Sequence, residues 1–297
     1  MASLQSHLLV LLLKIIGRKR PWRSVDALSA SLVGTRLNGP ATPSARMARA
    51  IKVDLSAVAG HSVYELRPHG QANPSTHLFY FHGGGYIRPI TGFHWRFLCQ
   101  LVKMSGCRIT VPLYPLAPEH QAPKALDFVR QVYKARSATS GAQKIFVAGD
   151  SAGGGLAVAL TLSLRDERAQ MPDRMILITP WLDVALDHPS VKTKDADDPF
   201  LSAPGAREAG RWYAGKWSIN HPIVSPLLAD LHGLPPATIL AATRDIVHSD
   251  ATRFAEKLRA AGGTADLWEG AGALHVWPLL PIPEGRMARK KIAVLLR

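Results

Sequence analysis

The chain has 297 residues, of which 47% are hydrophobic and 20% charged; this ordinary globular balance excludes a disordered or low-complexity protein. Lys+Arg 36 against Asp+Glu 22 leaves a net charge of +14, which favours anionic surfaces and carries no information about fold. Two cysteines, Cys99 and Cys107, are too few for a disulfide framework or a metal quartet, and two free thiols point to a reducing, cytoplasmic setting.

The chain opens on an apolar run, His7 to Ile16. No basic residue precedes it, Lys14 interrupts it, and Arg18, Lys19, Arg20 and Arg23 follow it. That polarity is the reverse of a secretory leader, and the run falls short of the ~20 residues that span a bilayer. Leu4, Leu8, Leu11, Leu12 and Ile15 share one helical face, and Gly17 supplies a stop. The expectation is an amphipathic helix that is either buried or surface-seeking. Residues 1–60 carry nine Lys/Arg against Asp26 and Asp54, and the last twelve residues carry five with no acid. Without a zinc finger, an RNP aromatic pattern or a basic heptad, this charge does not make a nucleic-acid binder. It is compatible with peripheral contact at an anionic membrane.

Residues 37–45 are rich in turn formers and mark a boundary. Beyond it, short apolar runs at 77–81, 108–112, 144–148, 175–179, 237–241 and 264–268 read as strands. Between them, 93–104, 121–136, 154–165 and 249–261 read as helices. Such alternation predicts an α/β fold with a mostly parallel sheet covered on both faces. Residues 186–222 break the rhythm with the acid-rich run 195–198 ahead of Pro199, and with Trp212, Tyr213 and Trp217, and read as an insertion over one edge.

Gly149-Asp-Ser-Ala-Gly153 matches G-x-S-x-G. A strand leads into it, and Gly153-Gly-Gly155 opens a helix, the strand–turn–helix context that a nucleophile elbow requires. His82-Gly-Gly-Gly85 follows another strand; consecutive glycines can turn backbone N–H groups towards one oxyanion. The expected donors are two N–H groups from Gly83, Gly84 and Gly85, with that of Ala152 after the nucleophile; His82 reads as structural. In the order Ser, acid, His, the acid is Asp245, after the 237–241 strand, and the base is His275, after the 264–268 strand. Asp250 and His248 are the runners-up.

Together these motifs resemble the hormone-sensitive-lipase-like branch of the α/β-hydrolases, esterases with HGGG and GDSAG signatures. The likeness runs from about residue 76 onward and includes Tyr114-Pro-Leu-Ala-Pro-Glu-His120, Thr179-Pro-Trp-Leu-Asp183 and Ser225-Pro-Leu-Leu-Ala-Asp230. It implies an α/β-hydrolase core over 51–185 and 223–297, with a helical cap from the N-terminal segment 1–50 and the insertion 186–222. It also implies hydrolysis of carboxylic esters with no metal or organic cofactor; the expected substrates are small-molecule or lipid esters of short to medium acyl chain, and the expected state is a monomer or homodimer. Asp183, Glu119 and Asp150 become scaffold residues. The chain departs from the family pattern at Pro115, where Arg is usual, and in lacking Pro after Asp245. A membrane-surface lipid hydrolase is the alternative. A catalytically silent binding protein is a further one, disfavoured because Ser, Asp, His and the glycine loop are all present.

Overall fold

Eight strands form one sheet in the order β1-β2-β4-β3-β5-β6-β7-β8. In this computed structural model, residues 2–71 and 74–297 are described. The strands are β1 (Lys52–Val58), β2 (His61–Arg67), β3 (Thr76–Phe81), β4 (Arg108–Pro112), β5 (Lys144–Asp150), β6 (Arg174–Ile178), β7 (Ala237–Ala242) and β8 (Ala265–Gly270). Pairs β1–β2 and β2–β4 are antiparallel, and every other pair is parallel.

The parallel strands are buried on both faces, and their residues alternate between two cores. Along β3, Phe79 and Phe81 join one apolar cluster and Leu78 and Tyr80 the other, the period of two that a pleated strand imposes. Helices α5 (Ala122–Ala138), α6 (Ala152–Asp166) and α9 (His248–Ala260) contribute Phe128, Leu156 and Phe254 to the first core. Helices α4 (Gly92–Ser105) and α10 (Pro283–Leu295) contribute Trp95, Phe97 and Ile292 to the second. All six expected strands and four expected helices appear within two residues of their predicted limits. The β1–β2 hairpin and α10 are additions. The hairpin turns on Ala59 (φ +47°) and Gly60 (φ +80°), a two-residue turn with both central φ positive.

Three helices precede the sheet: α1 (Leu4–Ile15), α2 (Val25–Asn38) and α3 (Ala45–Ala50). The insertion folds as α7 (Ser190–Asp197) and α8 (Ala203–Ala214), and α2 packs on α8. Helix α1 ends where expected: Gly17 has φ +67° and Arg18 N–H donates to the Leu13 carbonyl at 3.0 Å, a glycine-terminated end. Its apolar face, however, points outward. Leu4, Leu8, Leu11, Leu12 and Ile15 are all more than half exposed, while Ser6, Val10 and Leu13 are buried. Among the described residues no helix is long and apolar enough to cross a membrane.

Candidate active site

The site forms where four parallel strands end. Each of β3, β5, β7 and β8 delivers one motif past its carboxyl end: the glycine loop, Ser151, Asp245 and His275, respectively. This convergence follows from parallel strands, whose carboxyl ends all lie on one side of the sheet.

Ser151 joins β5 to α6 with φ +54° and ψ −123°, a sparsely populated backbone state that persists only where its surroundings fix it. Its N–H donates to the Ile178 carbonyl at 2.9 Å, and its carbonyl accepts from Gly154 and Trp181, both at 3.0 Å. A Cβ on Gly153 would stand 2.0 Å from the Phe81 carbonyl oxygen, so only glycine lets α6 approach β3 this closely. Ser151 and His275, both nearly buried, line one cavity of about 1410 Å³.

His275 Nδ1–H donates to Asp245 Oδ2 at 2.6 Å. The other carboxylate oxygen of the fully buried Asp245 accepts the Val247 N–H at 3.1 Å. Burial opposes the imidazolium, but the adjoining Asp245 carboxylate outweighs it and holds the His275 pKa above the ordinary histidine value. Asp250 does not reach this histidine. It accepts the Leu182 and Asp183 N–H groups at 2.9 and 3.0 Å, and burial pushes its carboxyl up to about 8. His248 pairs with Glu269 at 2.8 Å instead.

Two other histidines are engaged elsewhere. His82 stacks on Tyr114 and donates Nδ1–H to the Gly83 carbonyl at 2.8 Å; burial and then the nearby His94 push its pKa down to about 4. His77 bonds Ser140 and Thr110, both at 2.8 Å, with its two ring nitrogens. It lies near the start of β3, at the opposite end of the sheet from Ser151.

The glycine loop needs one correction. The Gly83 N–H donates to Asp150 Oδ1 at 2.9 Å, so it is not available to an oxyanion. Gly84 (φ +128°) and Gly85 line the cavity, and among the described residues neither N–H has an intramolecular acceptor. A Cβ on Gly84 would meet the Arg88 carbonyl at 2.5 Å. Ala152, at the first position of α6, has an N–H that the helix itself cannot pair. The scaffold carboxylates are occupied elsewhere: Asp150 also accepts the Tyr80 hydroxyl, Glu119 pairs with Arg36, and Asp183 accepts the Ala185 N–H.

A family model described as the alpha/beta hydrolase fold matches residues 78–279, about two thirds of the chain. The chain belongs to the α/β-hydrolase family. An esterase of Acinetobacter venetianus is 31% identical to it, with 75% of each chain covered. An acetyl-hydrolase of Streptomyces hygroscopicus is 31% identical, with 80% of each covered. A crystal structure of EstE5 soaked with p-nitrophenyl butyrate superposes with a TM-score of 0.88 at 28% identity, covering 100% of this chain and 98% of that one. A hormone-sensitive lipase from a metagenome library gives 0.86 at 27%, with the same coverage. The chain is thus an ester hydrolase of the hormone-sensitive-lipase-like group.

In this α/β-hydrolase the cavity walls come from both halves of the chain. Leu9, Leu13 and Trp22 from the N-terminal segment face Phe200 and Leu201 from the insertion. Sequence reasoning missed Asp198, a buried insertion residue whose carboxylate accepts the Phe200, Leu201 and Ile246 N–H groups. Burial, then the neighbouring Asp245 charge, push its pKa up to about 7. The acid-rich run 195–198 was visible, but nothing in the sequence says which of its three aspartates turns inward. Among the described residues no group of three or more His, Cys, Asp or Glu is gathered as metal ligands would be.

Proposed function

We propose that this ester hydrolase is a serine carboxylesterase that acts through an acyl-enzyme on Ser151. His275 takes the Ser151 proton through Nε2 while Ser151 Oγ attacks the ester carbonyl carbon. Asp245 fixes the Nδ1–H tautomer and stabilises the imidazolium. The N–H groups of Gly84, Gly85 and Ala152 bind the oxyanion, each good donor being worth roughly 3–4 kcal/mol in the transition state. His275 returns the proton to the leaving alkoxide, and water then attacks the acyl-enzyme by the same route in reverse.

The observation that carries this reading is the strained Ser151 facing the same cavity as a histidine whose Nδ1 is held by a buried carboxylate. The N-terminal segment and the insertion act as the cap, since each supplies apolar wall to that cavity. An apolar wall suits an acyl chain, and short to medium chains are the proposed substrates. Turnover of p-nitrophenyl esters from acetate to dodecanoate tests it: a maximum at short or medium length is expected. No turnover of any ester would overturn it.

A second reading, lipid esters taken from an anionic surface, rests on α1. Its leucine stripe is exposed beside Lys14, Arg18, Lys19 and Arg20, the two signals of interfacial attachment. Leu12 and Ile16 of the same region also reach the cavity.

A further inference from the structure

The cavity that holds Ser151 and His275 is also lined by Arg18 and Arg88. Most enclosed arginines of this protein have their donors engaged. Arg36 pairs with Glu119 and the Ala117 carbonyl, Arg207 with the Ala185 and Leu186 carbonyls, and Arg289 with those of Pro278 and Leu280. Arg18 and Arg88 differ. Among the described residues no acceptor meets the Arg18 guanidinium, which lies 5.9 Å over the Phe200 ring. Arg88 gives one N–H to Ser31 Oγ at 2.7 Å, and its buried Nε is left without an acceptor. Among the described residues no carboxylate pairs with either.

The two cations also act on each other. Burial, and after it the Arg18 charge, push Arg88 down to about 10. Arg18 stays open to the cavity yet is enclosed enough that desolvation lowers its pKa too. Two like charges with open donors in one recess are unfavourable unless an anion joins them. Among the described residues Asp150 is the one carboxylate that lines the cavity with them, and it is already taken up by Tyr80 and Gly83.

Arg88 is tied to the glycine loop, and Arg18 lines the same cavity. The Arg88 backbone N–H donates to the Gly84 carbonyl at 3.0 Å, and the Arg88 guanidinium lies 5.1 Å over the Trp22 ring. A Cβ on Gly85 would be 2.7 Å from that same ring, so the Trp22–Arg88 stack abuts the glycine loop. Planar guanidinium forks match a carboxylate or phosphate two oxygens at a time.

We propose that Arg18 and Arg88 form an anion-binding subsite within the catalytic cavity, and that the preferred substrates are carboxylic esters carrying a second, negatively charged group, a carboxylate or a phosphate. The inference rests on the ester-hydrolase reading and narrows its substrate class. Because the charge could sit on the acyl or the alcohol side, matched pairs test both. These are 4-nitrophenyl hydrogen suberate against 4-nitrophenyl octanoate, and 4-acetoxybenzoate against methyl 4-acetoxybenzoate. The phosphate arm is 4-acetoxyphenyl phosphate against phenyl acetate.

In at least one pair the charged ester should have the higher kcat/KM, by about tenfold or more, the worth of one or two charge-assisted hydrogen bonds. That ratio should fall at least ~10-fold in Arg18→Met and in Arg88→Met, and should shrink as salt rises. Which pair responds separates carboxylate from phosphate and acyl from alcohol. Arg88→Met also breaks the tie to Ser31; Arg18→Met removes no hydrogen bond, so it keeps the test intact if the other fails to fold. Neutral esters favoured in every pair, or a charged preference that survives both substitutions, would overturn the subsite alone. No turnover of any ester would overturn the esterase reading, and the subsite with it.

Discussion

Replacing Asp245 by Asn should nearly abolish turnover, and the hydrogen bonds around the residue say why. One carboxylate oxygen accepts the Val247 N–H at 3.1 Å and the other accepts His275 Nδ1–H at 2.6 Å. An asparagine has one acceptor and one donor end. If its oxygen serves Val247, its NH2 faces Nδ1, which must then accept, and the imidazole carries its proton on Nε2. That tautomer cannot take a proton from Ser151. If the amide flips, two N–H donors confront each other at Val247 in a fully buried place, at a cost of about 1–3 kcal/mol. Neither orientation stabilises the imidazolium. The expected loss in kcat/KM is ~10⁴, or about 5.5 kcal/mol of transition-state stabilisation. The assay is p-nitrophenyl butyrate hydrolysis beside circular dichroism, to establish that the variant is folded. Stability carries a second signature. Because the folded pKa of His275 is raised above 6.5, the pair stabilises the fold fully below that pH and loses this contribution as pH climbs through the raised value. The stability gap between wild type and Asp245→Asn should therefore be wider at pH 6 than at pH 9. A folded Asp245→Asn that keeps a tenth of wild-type activity, while Asp250→Asn is crippled, would refute the assignment.

Gly153→Ala should destabilise by about 1–3 kcal/mol or prevent folding, because its methyl would enter the Phe81 carbonyl; an unchanged melting temperature would contradict the close approach of α6 to β3. Asp198→Asn removes a buried carboxyl whose ionised form raises the His275 pKa, so the acid limb of the kcat/KM profile should move to lower pH; a shift the other way would contradict that coupling. Deleting residues 1–23 removes Leu9, Leu13 and Trp22 from the cavity wall, so KM for soluble esters should rise and chain-length preference should change. Unaltered soluble-ester kinetics with lost co-sedimentation on anionic liposomes would instead assign α1 to the membrane.

The parts of the fold legible in the sequence were those with a local signal. The buried parallel strands are short apolar runs set between helices, so β3 to β8 could be read directly. The β1–β2 hairpin was not, because β1 is an edge strand with exposed Lys52 and Leu55 and its turn is Ala-Gly rather than Asn-Gly. The proposed triad of Ser151, Asp245 and His275 could be put forward from the sequence because each follows a strand end in a fixed order. The state of Gly83 was not: its N–H is taken by Asp150, 67 residues away, and no local pattern encodes that bond. The helix over 4–15 was predicted from periodicity, but periodicity does not say which face packs, and here the leucine stripe lies outside. Arg18 and Arg88 are 70 residues apart in sequence and meet only through the cavity they share.

The most direct test of the account is to treat the protein with a serine-directed phosphonate ester and map the adduct by mass spectrometry, with Ser151→Ala alongside. The account predicts one adduct per chain, on Ser151, formed in step with loss of esterase activity, and neither adduct nor turnover in the folded Ser151→Ala protein. Full esterase activity in folded Ser151→Ala, or inactivation by an adduct on another residue, would contradict it.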